Sequence, residues 1–365
     1  MYCKKCGFNL ADGAKICSFC GQKVDKNDYI EAQSEQTSET INEKTNEQPI
    51  NQDYEQPKEY ERVESKTIDL LRNENGFIDI NTKWWIHLLI ASGGYLFLEI
   101  FSIIFGRILF KISMSKGNDF SCVYGEEGVA GCPVEIRNLY NKIASIDQVV
   151  GELLLIAIIA IIFHNFLKIF FSEAKQKQTW KWFGIGLGIN YGGNILYNMI
   201  LTAANANATS SNQDSVNELL FGSPLLGFLF VVIAAPLFEE IIFRFGIFRI
   251  FTFKSKKLAI VGIALTAFLF ASVHFIATFQ EAFADPANPN YEILKSDLLS
   301  LPIYLLGGVC LTLTYYKSKN LLASMSVHMT INFVSFVSIF LLQIADELQP
   351  EVTSNIIRFF HLLIC

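Results

Sequence analysis

The chain lacks the common hydrolase signatures. It has no His-Glu-x-x-His, no Ser-His-Asp arrangement among its apolar segments and no aspartate pair set in apolar surroundings. These absences exclude the zincin helix, the serine triad and the aspartyl dyad as its chemistry. No apolar leader follows Met1, since the chain begins Met1-Tyr-Cys-Lys-Lys-Cys6, so no signal peptide is expected. No internal repeat of the kind many transporters carry is visible, which weighs against transport. Histidine is scarce, at 5 in 365 residues, so each can be judged singly.

What the chain has in quantity is apolar surface. Hydrophobic residues make up 51% of it, with 32 Phe and a mean hydropathy of +0.33. An ordinary soluble domain is about 45–50% apolar even with glycine counted. The first 80 residues are very polar, so the remainder is strongly apolar. It breaks into runs near 84–110, 148–171, 182–204, 224–251, 258–280, 298–316 and 321–345. Each approaches or exceeds the roughly 20 residues that cross a bilayer. The apolar tail from Ile356 to Cys365 is too short to cross alone; it is expected to be interfacial or re-entrant, or to complete an eighth span. The expected fold is an all-α polytopic membrane protein of about seven or eight transmembrane helices.

Before the spans lies Cys3-x2-Cys6-x10-Cys17-x2-Cys20. Two CxxC pairs supply four thiolates, the donor set of a tetrahedral structural zinc. The spacing resembles the small zinc ribbons at the N-termini of bacterial membrane proteins. So short a module has no room for a core, and the metal would supply its folding energy. The alternative is two disulfides or a redox pair; Lys4, Lys5, Lys15 and Lys23 and the missing export signal favour zinc. With all four positions filled by Cys, no open place is left for catalysis. The segment has no Arg and no aromatic platform beyond Tyr2, Phe8 and Phe19, so a docking protein partner is expected rather than nucleic acid. Residues 24–80 are rich in Glu, Gln, Asn, Ser, Thr and Lys and read as a disordered linker.

Loop charges orient the spans. Lys168, Lys175, Lys177 and Lys181 follow the second, Lys254, Lys256 and Lys257 the fourth, and Lys317 and Lys319 the sixth. The alternate loops, 117–147, 205–222 and 281–297, are acidic or polar. The positive-inside rule then places the lysine loops and the N-terminus in the cytoplasm of a multi-pass cell-membrane protein, where ribbon thiols stay reduced. Cys122 and Cys132 share the first outer loop, either as a disulfide or as two free thiols. Cys310 reads as a small core residue, and Cys365 is not expected to belong to a prenylation box. Gly184, Gly188 and Gly192 form a small-xxx-small pattern and are expected at a close helix contact. Asn190 and Asn194 line a cavity or bond between helices.

The fourth run holds Pro236-Leu-Phe-Glu239-Glu240-Ile-Ile-Phe-Arg244. Each charge at a membrane helix centre costs roughly 2.5–3.5 kcal/mol, so three of them imply a function. Glu240 and Arg244, four apart, share a face and can pair, fixing register at least in part. Glu239, about 100° round the helix, is free to face something else. Phe270-Ala-Ser-Val-His274 and His328-Met-Thr-Ile-Asn332 lie in the fifth and seventh runs. His87, His164 and His361 have no motif around them and are assigned to structure.

Glu-Glu-x-x-x-Arg, Phe-x-x-x-His and His-x-x-x-Asn on successive membrane helices resemble the CAAX protease and bacteriocin-processing family, also called the Abi family. The resemblance covers about Trp182 to Ile344. It implies a CAAX-protease-like catalytic membrane domain over 182–345, behind a ribbon over 1–23, a linker over 24–80 and membrane helices over 81–181, with 346–365 as a tail or partial helix. It implies that Glu239 with His274 activates water, that His328 and Asn332 stabilise the oxyanion, and that Glu240 and Arg244 position the base and bind the substrate backbone. The family is often labelled metalloprotease. Two His and a Glu suit zinc, and a metal-free, glutamate-driven mechanism is equally open and is preferred. The site is expected to open toward the cytoplasmic half of the bilayer. Implied substrates are membrane-embedded or membrane-associated proteins and peptides, such as bacteriocin or pheromone precursors, and self-immunity is a further role. The rival reading is a non-catalytic scaffold of the same fold, with a transporter behind it.

Overall fold

The computed structural model describes Tyr2–Cys3, Tyr29–Ile30, Phe77 and residues 84–348, apart from 126–127, 163–173, 207, 209, 253–255 and 286–287. The chain divides into two compact units, Met1–Thr82 and Lys83–Cys365. In the first, β1 (Tyr2–Cys3) pairs antiparallel with β2 (Tyr29–Ile30), Cys3 opposite Tyr29. Cys6, Cys17 and Cys20, most of the linker and the tail from Ile356 to Cys365 lie outside the described residues, as do His164 and His361.

Among its described residues the second unit contains helices and connecting loops. Its elements are α1 (Trp84–Ser115), α2 (Val134–Ile162), α3 (Lys177–Ala203), α4 (Ser211–Gly222) and α5 (Pro224–Thr252). There follow α6 (Lys256–Val273), α7 (Ile276–Ala282), α8 (Tyr291–Leu298), α9 (Leu301–Ser318) and α10 (Leu321–Leu348). Among the described residues α1, α2, α5 and α10 are each long and apolar enough to cross a membrane. The α6–α7 and α8–α9 pairs, bent by 45° and 43°, raise the number to as many as six if each pair is one span. Several long apolar helices mark a multi-pass membrane protein, and Leu89, Leu96, Ile103 and Ile104 of α1 are left exposed to lipid.

The expected third span needs qualification. α3 has 27 residues, long enough to cross, but polar residues keep it out of the apolar set. Asn190, Asn194 and Asn198, four apart, are all buried on its inner face. It nevertheless runs the length of the bundle beside α9. At one end Gln178 Nε2 donates to Lys317 O at 3.2 Å; at the other Tyr197 Oη donates to Leu299 O at 2.7 Å.

The glycine expectation is overturned. A Cβ at Gly184, Gly188 or Gly192 would meet nothing within 4 Å. The tight positions are Gly186, whose Cβ would come 2.6 Å from Thr314 Oγ1, and Gly193, 2.4 Å from Leu306 Cδ2. Residues two apart on a helix stand about 200° apart, so the visible pattern lies on the face opposite the packed one. Cys310 is a buried core residue, its Sγ 3.0 Å from Gly186 O, as expected. The core joins Ala91, Leu155, Ile242, Phe270, Leu311 and Val327, drawn from six helices, and the site sits beside it.

Candidate active site

α5 is not a regular helix. It winds into wide turns over Phe228–Ala234 and again over Glu240–Phe248, with Glu239 ending the short α-helical piece between them. In the first wide turn Ala235 N–H reaches back to Phe230 O. The next carbonyl, Val231, would by the same five-residue step meet Pro236, which has no N–H. Asn332 of α10 supplies the donor instead, its Nδ2 2.8 Å from Val231 O. One amide hydrogen of this motif residue therefore holds α5 in shape, while the side chain still borders the cavity described below.

The second wide turn carries the ionic group. Glu240 and Arg244 are both 0% exposed, with Glu240 Oε1 3.0 Å from Arg244 Nη1. The contact is close but not aligned as a hydrogen bond, and Arg244 Nη2 donates instead to Gly308 O at 3.4 Å. The guanidinium also stacks 4.6 Å from the Phe270 ring, a cation–π contact that burial strengthens to about 2 kcal/mol. The expected pairing is present. A direct hold on substrate backbone is not, because neither side chain has exposed surface; Glu240 meets His328 Nδ1, and Arg244 meets Glu240.

His328 joins the two glutamates. Its Nδ1 lies 3.0 Å from Glu240 Oε1 and its Nε2 3.8 Å from Glu239 Oε2. An ionised carboxylate only accepts, so Nδ1 carries a hydrogen. With Nδ1 so engaged, Nε2 is an acceptor on the neutral ring and a donor on the imidazolium. Glu239 is 20% exposed and its Oε2 has no hydrogen-bond partner.

His274 occupies the break between α6 and α7, which turns its side chain out of the helical row. Its Nδ1 donates to Phe270 O at 2.7 Å, leaving Nε2 as the acceptor on the neutral ring. Its ring lies against Tyr304, with centroids 4.6 Å apart. Phe270 thus touches His274, His328 and Arg244, so the Phe of the second motif is a hub for the other two.

His274, His328 and Asn332 border a cavity of about 410 Å³. Asn194 lines it too, buried and with its Oδ1 unpartnered. The cavity extends past Tyr304 to Ser210, Gln213, Asp214 and Asn217 at α4. That end is opposite the lysine-bearing turns, so the expected opening toward the lysine half does not hold. Glu239 is not among the lining residues but lies beside one of them, its Oε2 3.8 Å from His328 Nε2.

Three features escape sequence reading. Glu152 of α2 is buried, has an unpartnered Oε2 and lies within electrostatic reach of Glu239. Starting the second span at 148 makes it look interfacial; the helix actually begins at Val134, which puts it mid-helix. Asp147, buried one turn earlier, accepts from Ser102 of α1. Tyr304 and the α4 residues carry no motif at all. His87, in the first turn of α1, is fully buried, with Nδ1 2.6 Å from Phe245 O.

Among the described residues no three His, Cys, Asp or Glu side chains converge as a metal-ligand set. The Nδ1 atoms of both motif histidines are engaged, and the Glu239–His328 approach stays at 3.8 Å. Cys122 and Cys132 form a disulfide, which decides between the two alternatives for that loop.

Residues 221–334 match the family model of type II CAAX prenyl endopeptidase Rce1-like proteins. The UPF0177 protein YvdC of Lactococcus lactis subsp. lactis (strain IL1403) is 31% identical over 171 residues, 46% of this chain. That match spans 57% of the relative, so the chain covers little more than half its length. No solved structure matches the chain. Over residues 221–334, which hold all three motifs of the site, the chain is similar to the Rce1-like CAAX endopeptidases.

Proposed function

We propose that this protein is an intramembrane endopeptidase that hydrolyses peptide bonds of membrane-associated polypeptides with a glutamate-activated water. The observation that carries this reading is His328, set between Glu239 and Glu240 at the wall of a polar cavity. Glu240 and Arg244 are sealed from solvent, whereas Glu239 is partly exposed.

Glu239 takes a proton from water as the water oxygen bonds to the scissile carbonyl carbon. The carbonyl electron pair moves onto oxygen, where the His328 imidazolium donates through Nε2 and Asn332 offers its second amide hydrogen. His274 Nε2 holds the other hydrogen of the water. Glu239 then returns its proton to the leaving nitrogen as the C–N bond breaks. Asn194 Oδ1 is placed to accept a substrate N–H. Glu240 and Arg244 fix the His328 ring and are positioning residues. In the first unit, Cys3, Cys6, Cys17 and Cys20 bind a structural zinc; metal content of the chain and of its Cys→Ser variants tests that.

The peptidase reading is tested with purified protein in nanodiscs and a panel of membrane-associated peptide precursors. Wild type should cut, Glu239→Ala and His328→Ala should not, and chelator should leave the rate unchanged once the ribbon is deleted. Cells in which both variants work as well as wild type would instead carry a non-catalytic scaffold.

A further inference from the structure

The two ends of the bundle can be told apart by contacts alone. One gathers the start of α3, the junction of α9 and α10, and the end of α5. Gln178 bonds to Lys317, Asn320 Nδ2 lies 3.4 Å from Thr179 Oγ1, and the Phe248 ring meets Tyr315 and Tyr316. The other gathers the starts of α2 and α4 with α7 and α8. Asn141 reaches Glu218, and Asp297 accepts from Ser211 N at 2.9 Å and from Thr278 Oγ1 at 2.6 Å. Tyr304 Oη lies 2.7 Å from Ser210 Oγ at this same end.

The ends differ in chemistry. The first carries Lys175, Lys177, Lys181, Lys257, Lys317 and Lys319, with no acidic residue in 174–181, 248–252 or 316–321. The second carries both signs, with Asp119, Glu135, Asp214, Glu218, Glu281 and Glu292 among its acids and Lys116, Arg137 and Lys142 among its bases. It also carries the Cys122–Cys132 disulfide, in the loop just before α2. Basic residues collect on the cytoplasmic side of membrane proteins. Disulfides persist where the environment oxidises. These rules are independent, and both place the disulfide end outside the cytoplasm.

The cavity reaches that end, where Ser210, Gln213, Asp214 and Asn217 border it. We infer that the site is entered from the extracytoplasmic face, and that its substrates are exported peptides or the outward-facing juxtamembrane segments of membrane proteins. This rests on the peptidase reading for what happens inside, but not for the side of entry. At about 410 Å³ the cavity is at the small end of ligand sites, which span roughly 300–1,000 Å³. It admits a short stretch of extended chain and no folded domain. The polar wall of Asn194, Ser210 and Asn217 suits such a stretch, whose backbone groups must find partners away from water.

Two experiments on the full chain in its cells separate side of entry from chemistry. Ser215 is exposed on α4 outside the cavity lining, and Lys257 is exposed at the opposite end. A membrane-impermeant maleimide is added to intact cells, and labelling is read as the increase over wild type. Ser215→Cys should be labelled, and Lys257→Cys only after permeabilisation. The reverse pattern overturns the inference and leaves the peptidase reading intact. A single-span reporter then carries one polar juxtamembrane segment on either face. Cutting of the outward form alone is expected, and it should vanish with Glu239→Ala. Cutting of the cytoplasmic form alone overturns the substrate inference. Cutting of neither, with labelling as expected, overturns the peptidase reading and the substrate claim together and leaves the sidedness standing.

Discussion

The inner wall of the cavity and its mouth are built by opposite means. Around Arg244 charges are sealed from solvent and hold one another across α5, α9 and α10. Around Tyr304 and α4 most groups are neutral or exposed; Asp297 is the buried acid among them, held by Ser211 N and Thr278 Oγ1, and Tyr304 Oη meets Ser210 Oγ. Charge in the interior is costly and is kept only where the geometry demands it; polar groups near water cost little and can vary. The inner wall should therefore decide whether the molecule folds and cuts, and the mouth what it cuts.

The largest expected effect breaks the inner wall. Arg244→Met leaves Glu240 buried without its guanidinium and with His328 still on Oε1, which should cost about 3–5 kcal/mol and abolish folded protein. Adding Glu240→Leu should restore the folded state by removing the stranded charge, yet leave no cleavage, because His328 loses the carboxylate on Nδ1. Thermal unfolding in detergent and peptide cleavage read the two halves; recovery of both would mean that the ionic group is scaffold only.

The next effect tests the packing beneath that wall. A Cβ at Gly308 would come 2.8 Å from Ala267 Cα and 3.0 Å from Ala267 O, backbone atoms that do not yield cheaply. Gly308→Ala should cost about 1–3 kcal/mol. At Gly188 nothing lies within 4 Å, and the same change should gain roughly 0.5–1 kcal/mol of helix propensity. Equal shifts in melting temperature would contradict the face assigned to α3.

At the mouth the effects shrink. Tyr304→Phe removes the hydroxyl that meets Ser210 but keeps the ring against His274. About 1 kcal/mol, or roughly fivefold, should fall on KM with kcat held; a fall confined to kcat would move Tyr304 into the catalytic group.

Asp214 gives the smallest effect. Burial, then the Asp297, Glu281 and Glu218 carboxylates, holds its carboxyl above the ordinary aspartate value. A raised value means that the folded state binds the proton more tightly than the unfolded chain, so its contribution is present at low pH and is lost as pH rises through the folded value. Asp214→Asn should melt like wild type in acid and slightly above it at neutral pH. An advantage seen only in acid would contradict the sign.

Much of the inner wall was legible because its spacing carries the geometry: a step of four from Glu240 to Arg244, or from His328 to Asn332, puts both on one face. The mouth was not legible, because Ser210, Gln213 and Asn217 are ordinary loop and helix residues until the chain brings them over His274. The break at His274 and the wide turns of α5 depend on which carbonyl meets Pro236 and which neighbour supplies a donor, and spacing does not show that. The glycines misled for a related reason. A pattern of small residues names a face, and only packing says which face is pressed.

The most direct test of the central claim is the cleavage rate of one membrane-associated peptide by wild type and by Glu239→Gln in the same nanodiscs, with the melting temperature of each. Glu239 has no hydrogen-bond partner at Oε2 and is partly exposed, so the amide should fold as well as the acid. Removing the base should slow cleavage by about 100-fold or more, the ordinary contribution of a general base. A Glu239→Gln protein that melts with wild type and cuts as fast would contradict the account.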